Sequence, residues 1–148
     1  MEDLEIQEEK KQWMKRYKKN LACIVRLEEK LTLLDDRLTS VKSPSLSGMP
    51  RGGTPVTSDD LIADKMELEE RIRRLKEKGK VIKKEILNAI DDLSDPRFSG
   101  VLEAYFIDDL SFSEIANDLN YSEKSVIRIY SQGIRALDLP LTREKNAV

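Results

Sequence analysis

Apolar side chains recur at Trp13, Tyr17, Leu21, Ile24, Leu27, Leu31, Leu34, Leu38 and Val41, in steps of three and four. This spacing draws one stripe down an α-helix and predicts a long amphipathic helix over about residues 13–41. Unbroken, it is about 43 Å long at 1.5 Å per residue, too long to be buried on every side. The KSPSLSGMPRGGTPV segment that follows holds three prolines and three glycines. Proline removes a backbone donor and glycine adds conformational freedom, so residues 42–56 read as a loop. Thr57 or Ser58 then offers an N-cap oxygen, and Asp59 and Asp60 fall in a first turn, where the helix dipole favours negative charge. A second stripe runs through Leu61, Leu68, Ile72, Leu75, Ile82, Ile86, Ala89 and Leu93, on a seven-residue repeat whose remaining seam positions are Lys65 and Gly79. Gly79 weakens a helix interior by about 1 kcal/mol relative to alanine and marks a candidate kink or close crossing. Two stripes joined by a loop predict a long, coiled-coil-like helical hairpin, closed within the chain or by a partner subunit.

Asp95-Pro96 ends the second arm, because proline disfavours helical geometry in the residue before it and suits the first turn of a new helix. The chain thus divides into a hairpin over 1–94, a domain over 95–140 and a flexible tail over 141–148. Three short helices are expected in the domain. The first buries Phe98, Val101, Leu102, Tyr105 and Phe106 and ends near Asp108-Asp109. Ser111-Phe112-Ser113-Glu114 spells a capping box, in which serine and glutamate side chains satisfy each other's free backbone amides, so the second helix starts at Ser111. It buries Ile115, Ala116 and Leu119. Asn120-Tyr121 makes a turn, since asparagine tolerates left-handed geometry, and Ser122 caps a third helix over 123–137. That helix carries Val126, Ile129, Tyr130, Ile134 and Leu137 inward.

The fold class expected is therefore all-α, a helical hairpin followed by a three-helix helix-turn-helix domain. The last helix of such a domain projects its outer residues into a DNA major groove about 12 Å wide. Glu123, Lys124, Ser125, Ile127 and Arg128 are the candidate base-reading residues. Arginine or lysine pairs with guanine, glutamate accepts from cytosine, and isoleucine touches a thymine methyl. Ser111, Ser122, Ser131 and Arg135 are candidate phosphate contacts.

Charge and composition narrow the alternatives. Of 148 residues, 36% are charged and 5% aromatic, and histidine is absent. That balance favours surface-rich helices over an enzyme built round a deep pocket, and it removes the commonest acid–base group. No catalytic residue, metal site or cofactor is expected. The lone Cys23 sits in an apolar stretch and reads as a small buried packing residue. The N-terminus, MEDLEIQEEKKQWMKRYKK, is charged throughout, and no run approaches the roughly 20 apolar residues of a membrane span. A cytoplasmic protein with no membrane partner is expected.

A net charge of −2 hides two basic stretches, Lys10 to Lys19 and Arg71 to Lys84. Folding at the loop sets the first roughly opposite residues 79–88, beside the helix-turn-helix. There Arg73, Arg74, Lys83 and Lys84 are candidates to hold the DNA backbone, or simply solvated helix faces. The same fold brings acidic Glu28, Glu29, Asp35 and Asp36 near Asp64, Glu67, Glu69 and Glu70, and like charges facing each other oppose it. Trp13 and Tyr17 lie on the apolar stripe and read as core residues rather than base-stacking ones.

Leu110-Ser111-x-x-Glu114-Ile115-Ala116, a short turn and a Ser122-capped helix follow one another in the order found in region 4 of the sigma-70 family of RNA polymerase factors, which residues 110–137 resemble. The resemblance implies that Glu123, Lys124, Ile127 and Arg128 face the bases. This segment departs from many DNA-binding domains in lacking dense basic residues and in carrying Asp108, Asp109, Glu114 and Asp118. Over its full length the chain is similar to small phage regulators of Gram-positive bacteria, the ArpU and RinA type. That likeness implies a transcription regulator of phage or prophage genes, binding double-stranded DNA as a homodimer, with RNA polymerase as a further partner. Two other readings stay open: the small subunit of a phage DNA-packaging terminase, and a sigma-like interaction protein that binds polymerase without touching DNA.

Overall fold

The computed structural model describes residues 2–42 and 58–142. The expected loop beyond Lys42, a cap at Thr57 and the expected tail from residue 143 onward lie outside the described residues. Those that are described form helices and no strand: α1 Glu2–Met14, α2 Arg16–Lys42, α3 Ser58–Asp91, α4 Pro96–Phe106, α5 Phe112–Leu119 and α6 Glu123–Ala136. The protein is all-α. None of these helices is long and apolar enough to cross a membrane.

The chain forms two compact units, one of residues 20–78 and one of residues 1–19 with 79–148. In the first, α2 and α3 run antiparallel, closed within the chain. Ile24 and Leu27 pack against Leu68 and Ile72, with Leu31 and Leu75 half-buried around them. Asp35 bonds Lys65 at 2.9 Å and Glu28 bonds Lys76 at 3.2 Å. The expected clash of acid on acid is thus relieved by lysines set between the carboxylates, one of them the seam residue Lys65. Asn20 is buried and donates to the Leu75 carbonyl at 3.1 Å, while Leu21, on the expected stripe, is left exposed. Both positions satisfy a step of three or four, and only the packing chooses between them. Cys23 is exposed, correcting its expected burial, because it precedes the Ile24 position that meets α3.

The second unit does not begin at Asp95, where the expected boundary falls. Its core joins Val101, Leu102, Phe106, Ile115, Val126, Ile129 and Ile134 of the last three helices to Ile82, Ile86 and Ile90 of α3 and to Met14. Trp13 and Tyr17 pack against that core as half-buried residues. Three short helices bury little surface alone, and the amphipathic ends of the longer ones complete the core. The first arm also starts earlier than expected. α1 begins at Glu2, with Glu2, Asp3 and Glu5 in the dipole-favoured first turn, and Lys15 forms a turn between α1 and α2. At the other end, Leu139 and Thr142 are buried and residues 140–142 are helical, so the expected flexible tail does not start at 141. The Thr142 hydroxyl donates to the Leu139 carbonyl at 2.7 Å.

Gly133 of α6 packs closely against α4. A Cβ there would lie 3.2 Å from Leu102 Cδ1 and 3.3 Å from Phe98 Cβ. Nothing larger than glycine fits without displacement. Gly133→Val is expected to destabilise the chain by about 1–3 kcal/mol through overpacking, read as a lower urea midpoint at unchanged slope.

Candidate nucleic-acid interface

The local grammar of the turn is realised. Ser111 accepts from the Glu114 amide at 3.1 Å while Glu114 accepts from the Ser111 amide at 3.3 Å, closing the capping box. Asn120 ends α5 at φ 58°, ψ 40°, the left-handed conformation that asparagine adopts more readily than most residues. Ser122 accepts from the Ser125 amide at 3.1 Å and starts α6. Asp95 caps α4 by accepting from the Arg97 amide at 2.9 Å, with Pro96 at the first helical position.

On α6 the two faces separate cleanly. Val126, Ile129, Tyr130, Gly133 and Ile134 are buried. Glu123, Lys124, Ile127 and Arg128 point to solvent, and Ile127, 44% exposed, is an apolar residue that no core contact requires there. Ser122, Lys124, Ser125, Ile127 and Arg128 line a shallow depression along this face. Ser125 is half-buried and takes a hydrogen bond from the Ser122 hydroxyl at 2.8 Å, so both hydroxyls are engaged in holding the helix start. Of the expected phosphate contacts, Ser131 and Arg135 are exposed, and Ser111 keeps its hydroxyl proton free to donate while its oxygen caps α5. Leu119 and Tyr121 are also exposed, at the turn preceding this face. Leu119 was expected in the core, but the buried part of α5 is Ile115 and Ala116, and Leu119, at the helix's last position, lies beyond it. Tyr121 fits no core spacing, and that misfit was the signal for an outward aromatic.

Much of the first basic stretch works inside the unit. Lys10 is buried, and its Nζ donates to the carbonyls of Ile134 at 3.3 Å and Arg135 at 3.0 Å in the last turn of α6, where Ile134 also accepts from the Leu137 amide at 3.2 Å. Burial lowers its pKa, opposed by Asp138 and Asp3. Lys18 lies 3.8 Å over the Tyr105 ring and pairs with Asp109 at 3.4 Å. Arg16 stacks 4.3 Å from Trp13 and bonds Glu85 at 2.9 Å, the opposition expected between residues 10–19 and 79–88. Lys10→Ala is expected to cost about 1–3 kcal/mol, because the Arg135 carbonyl loses this donor and the Ile134 carbonyl keeps only the Leu137 amide, and a thermal melt would record it.

The second stretch divides. Lys83 and Lys84 are exposed in the unit that contains α6. Arg73 and Arg74 belong to the other, where both bond Glu70, at 2.7 and 3.2 Å, and hold its carboxyl down at about 2. Between Asp95 and Pro140 the chain carries eight acidic and four basic side chains. Among the described residues, no cluster of histidine, cysteine or carboxylates could hold a metal ion. A family model, described as a protein of unknown function (DUF1492), matches residues 38–138, which take in α3 and the whole of α4 to α6. No curated protein matches the chain, and no solved structure does.

Proposed function

The chain belongs to the DUF1492 family, and we propose that it is a sequence-specific DNA-binding transcription regulator, reading the major groove with α6. The observation that carries this reading is the outward face of α6. Lys124, Ile127 and Arg128 project from a helix anchored on its other side, capped at its start by Ser122 and at its end by Lys10. A side chain that reads a base edge must be held by rigid supports, and these caps fix the helix that carries Lys124, Ile127 and Arg128. The likeness to small phage regulators of the ArpU and RinA type extends the proposal to phage or prophage promoters, with regulation of the genes beside them.

Footprinting on DNA flanking the gene, run over a salt series, tests it. A protected site that persists at salt concentrations where random DNA is released supports the reading; equal loss on all sequences refutes it. Lys83→Glu with Lys84→Glu is expected to weaken binding to every sequence alike and to flatten the slope of log K against log salt by about 0.9 per lost phosphate contact.

The acidic excess from Asp95 to Pro140 favours a second reading, in which the helix-turn-helix as a whole docks on a basic surface of RNA polymerase with no DNA contact. Polymerase binding that survives Lys124→Ala and Arg128→Ala, in a chain that leaves no footprint, would select it.

A further inference from the structure

The turn between α4 and α5 carries a charge that its backbone does not need. Among the described residues other than glycine, Asp109 and Asn120 alone have a positive φ, 59° and 58°. Glycine and asparagine take this left-handed geometry at least as readily as aspartate, so a neutral residue would serve the turn equally well. The carboxylate is used on Lys18 instead. Its Oδ1 lies 3.4 Å from the Lys18 ammonium, with the Asp109 side chain 76% exposed and that of Lys18 24% exposed. The same ammonium rests 3.8 Å from the centre of the Tyr105 ring, and Phe112, the first residue of α5, stacks on that ring at 4.9 Å. A cation from α2 is thus brought to the start of α5, and a carboxylate two residues before the Ser111 cap neutralises it there. In a helix-turn-helix the first of the two helices crosses the DNA backbone, and the opening amides of a helix favour a phosphate. The capping box engages the amides of Ser111 and Glu114, while those of Phe112 and Ser113 between them have no partner within the helix.

We propose that Asp109 limits the affinity of this chain for DNA of any sequence, by holding Lys18 back from the phosphate at the start of α5 and so leaving the choice of site to α6. The inference rests on the DNA-binding reading above and adds to it a brake on the general, backbone-held part of binding. Asp109 and the phosphate compete for one ammonium. While Asp109 holds it, the pair offers the backbone no net charge, and the exposed carboxylate itself repels phosphate. Two residues of chain separate Asp109 from Ser111, at most about 7 Å. That lies inside the Debye length of about 8–10 Å at ordinary salt, so the charge at position 109 is felt where the phosphate sits.

The test titrates the full chain onto a random-sequence duplex between about 50 and 200 mM salt, followed by fluorescence anisotropy. Asp109→Asn, which suits the left-handed backbone, is expected to bind roughly three- to tenfold tighter at the lowest salt. Its slope of log K against log salt should steepen by up to about 0.9, the mark of one added phosphate contact. Asp109→Gly should do the same. Asp108→Asn removes an equal charge one residue away without touching the Lys18 pair, and is expected to change binding by less than about twofold. Adding Lys18→Met to Asp109→Asn keeps a long side chain against Tyr105 and should return the affinity to within about twofold of the parent. On a footprinted site Asp109→Asn should bring the same gain as on random DNA, because α6 is unaltered. No gain from Asp109→Asn, an equal gain from Asp108→Asn, or a gain that persists without Lys18 overturns the proposal. A chain that footprints and shows any of these keeps the DNA reading and loses only the brake; a chain that binds no DNA loses both.

Discussion

Replacing Lys124 and Arg128 together by alanine is expected to erase the difference between specific and random DNA while leaving the fold untouched. Each well-placed basic side chain on a guanine edge carries about 1–3 kcal/mol of discrimination, so losing both removes roughly two to four powers of ten in affinity for the preferred site. Random DNA, held through phosphates, is expected to lose far less. Both residues are exposed and neither takes part in the caps of α6, so the melting temperature should stay within about 2 °C of the parent. Parallel titrations of a footprinted site and a scrambled one, with a thermal melt as control, separate the two effects. Equal loss on both DNAs would mean that these residues hold the backbone, and base reading would have to lie elsewhere on α6.

Phe106→Ala should have the largest effect on stability. Phe106 is fully buried at the end of α4. Its ring meets Tyr105 edge-on at 4.9 Å and stacks on Tyr130 at 5.8 Å. Tyr130 and Tyr105 in turn pack against Phe112, so one aromatic cluster ties all three short helices together. Burial pushes the Tyr130 hydroxyl pKa upward, as expected for a group inside that cluster. Truncation of a buried phenylalanine costs about 3–5 kcal/mol, a large share of the 5–15 kcal/mol that stabilises a typical domain. Urea titration by circular dichroism should show the loss. DNA binding is expected to fall with it, since α6 is positioned by the same cluster, and a ligand-free melt tells this indirect loss from that of Lys124 and Arg128. A change below about 1 kcal/mol would show that the cluster can collapse around the cavity.

The legible and illegible parts of the chain sort by the range of the interactions behind them. Ser111, Glu114, Asn120 and Ser122 announce their structure because a cap or a left-handed turn is satisfied within three or four residues. Ile24, Leu27, Leu68 and Ile72 are legible for a related reason, since a helical stripe depends only on spacing. Lys10 is the opposite case. In a run of basic residues it reads as a solvated or phosphate-binding side chain, yet its ammonium ends on the carbonyls of Ile134 and Arg135, more than a hundred residues away. Lys18 and Arg16 are diverted onto Tyr105 and Glu85 in the same manner. No local pattern distinguishes a lysine that will find such a partner from one that will stay in water.

The candidate interface divides along the same line. That Glu123, Lys124, Ile127 and Arg128 share the outer face of a helix follows from periodicity and a serine cap alone. That Tyr121 and Leu119 extend the exposed surface required the packing of α5 on α6.

By itself the order of residues determined that this protein is helical, where its capped helices α4, α5 and α6 begin, and which side of α6 stays outside, because backbone capping and amphipathic spacing act over one or two turns. Tertiary structure alone decided the rest. It set the extent of the unit around α4 to α6, drew residues 1–19 and 79–94 into it, and turned basic side chains of the first arm from surface charges into internal braces. Those choices depend on which apolar surface remains uncovered once the local helices have formed, and that is settled only when distant parts of the chain meet.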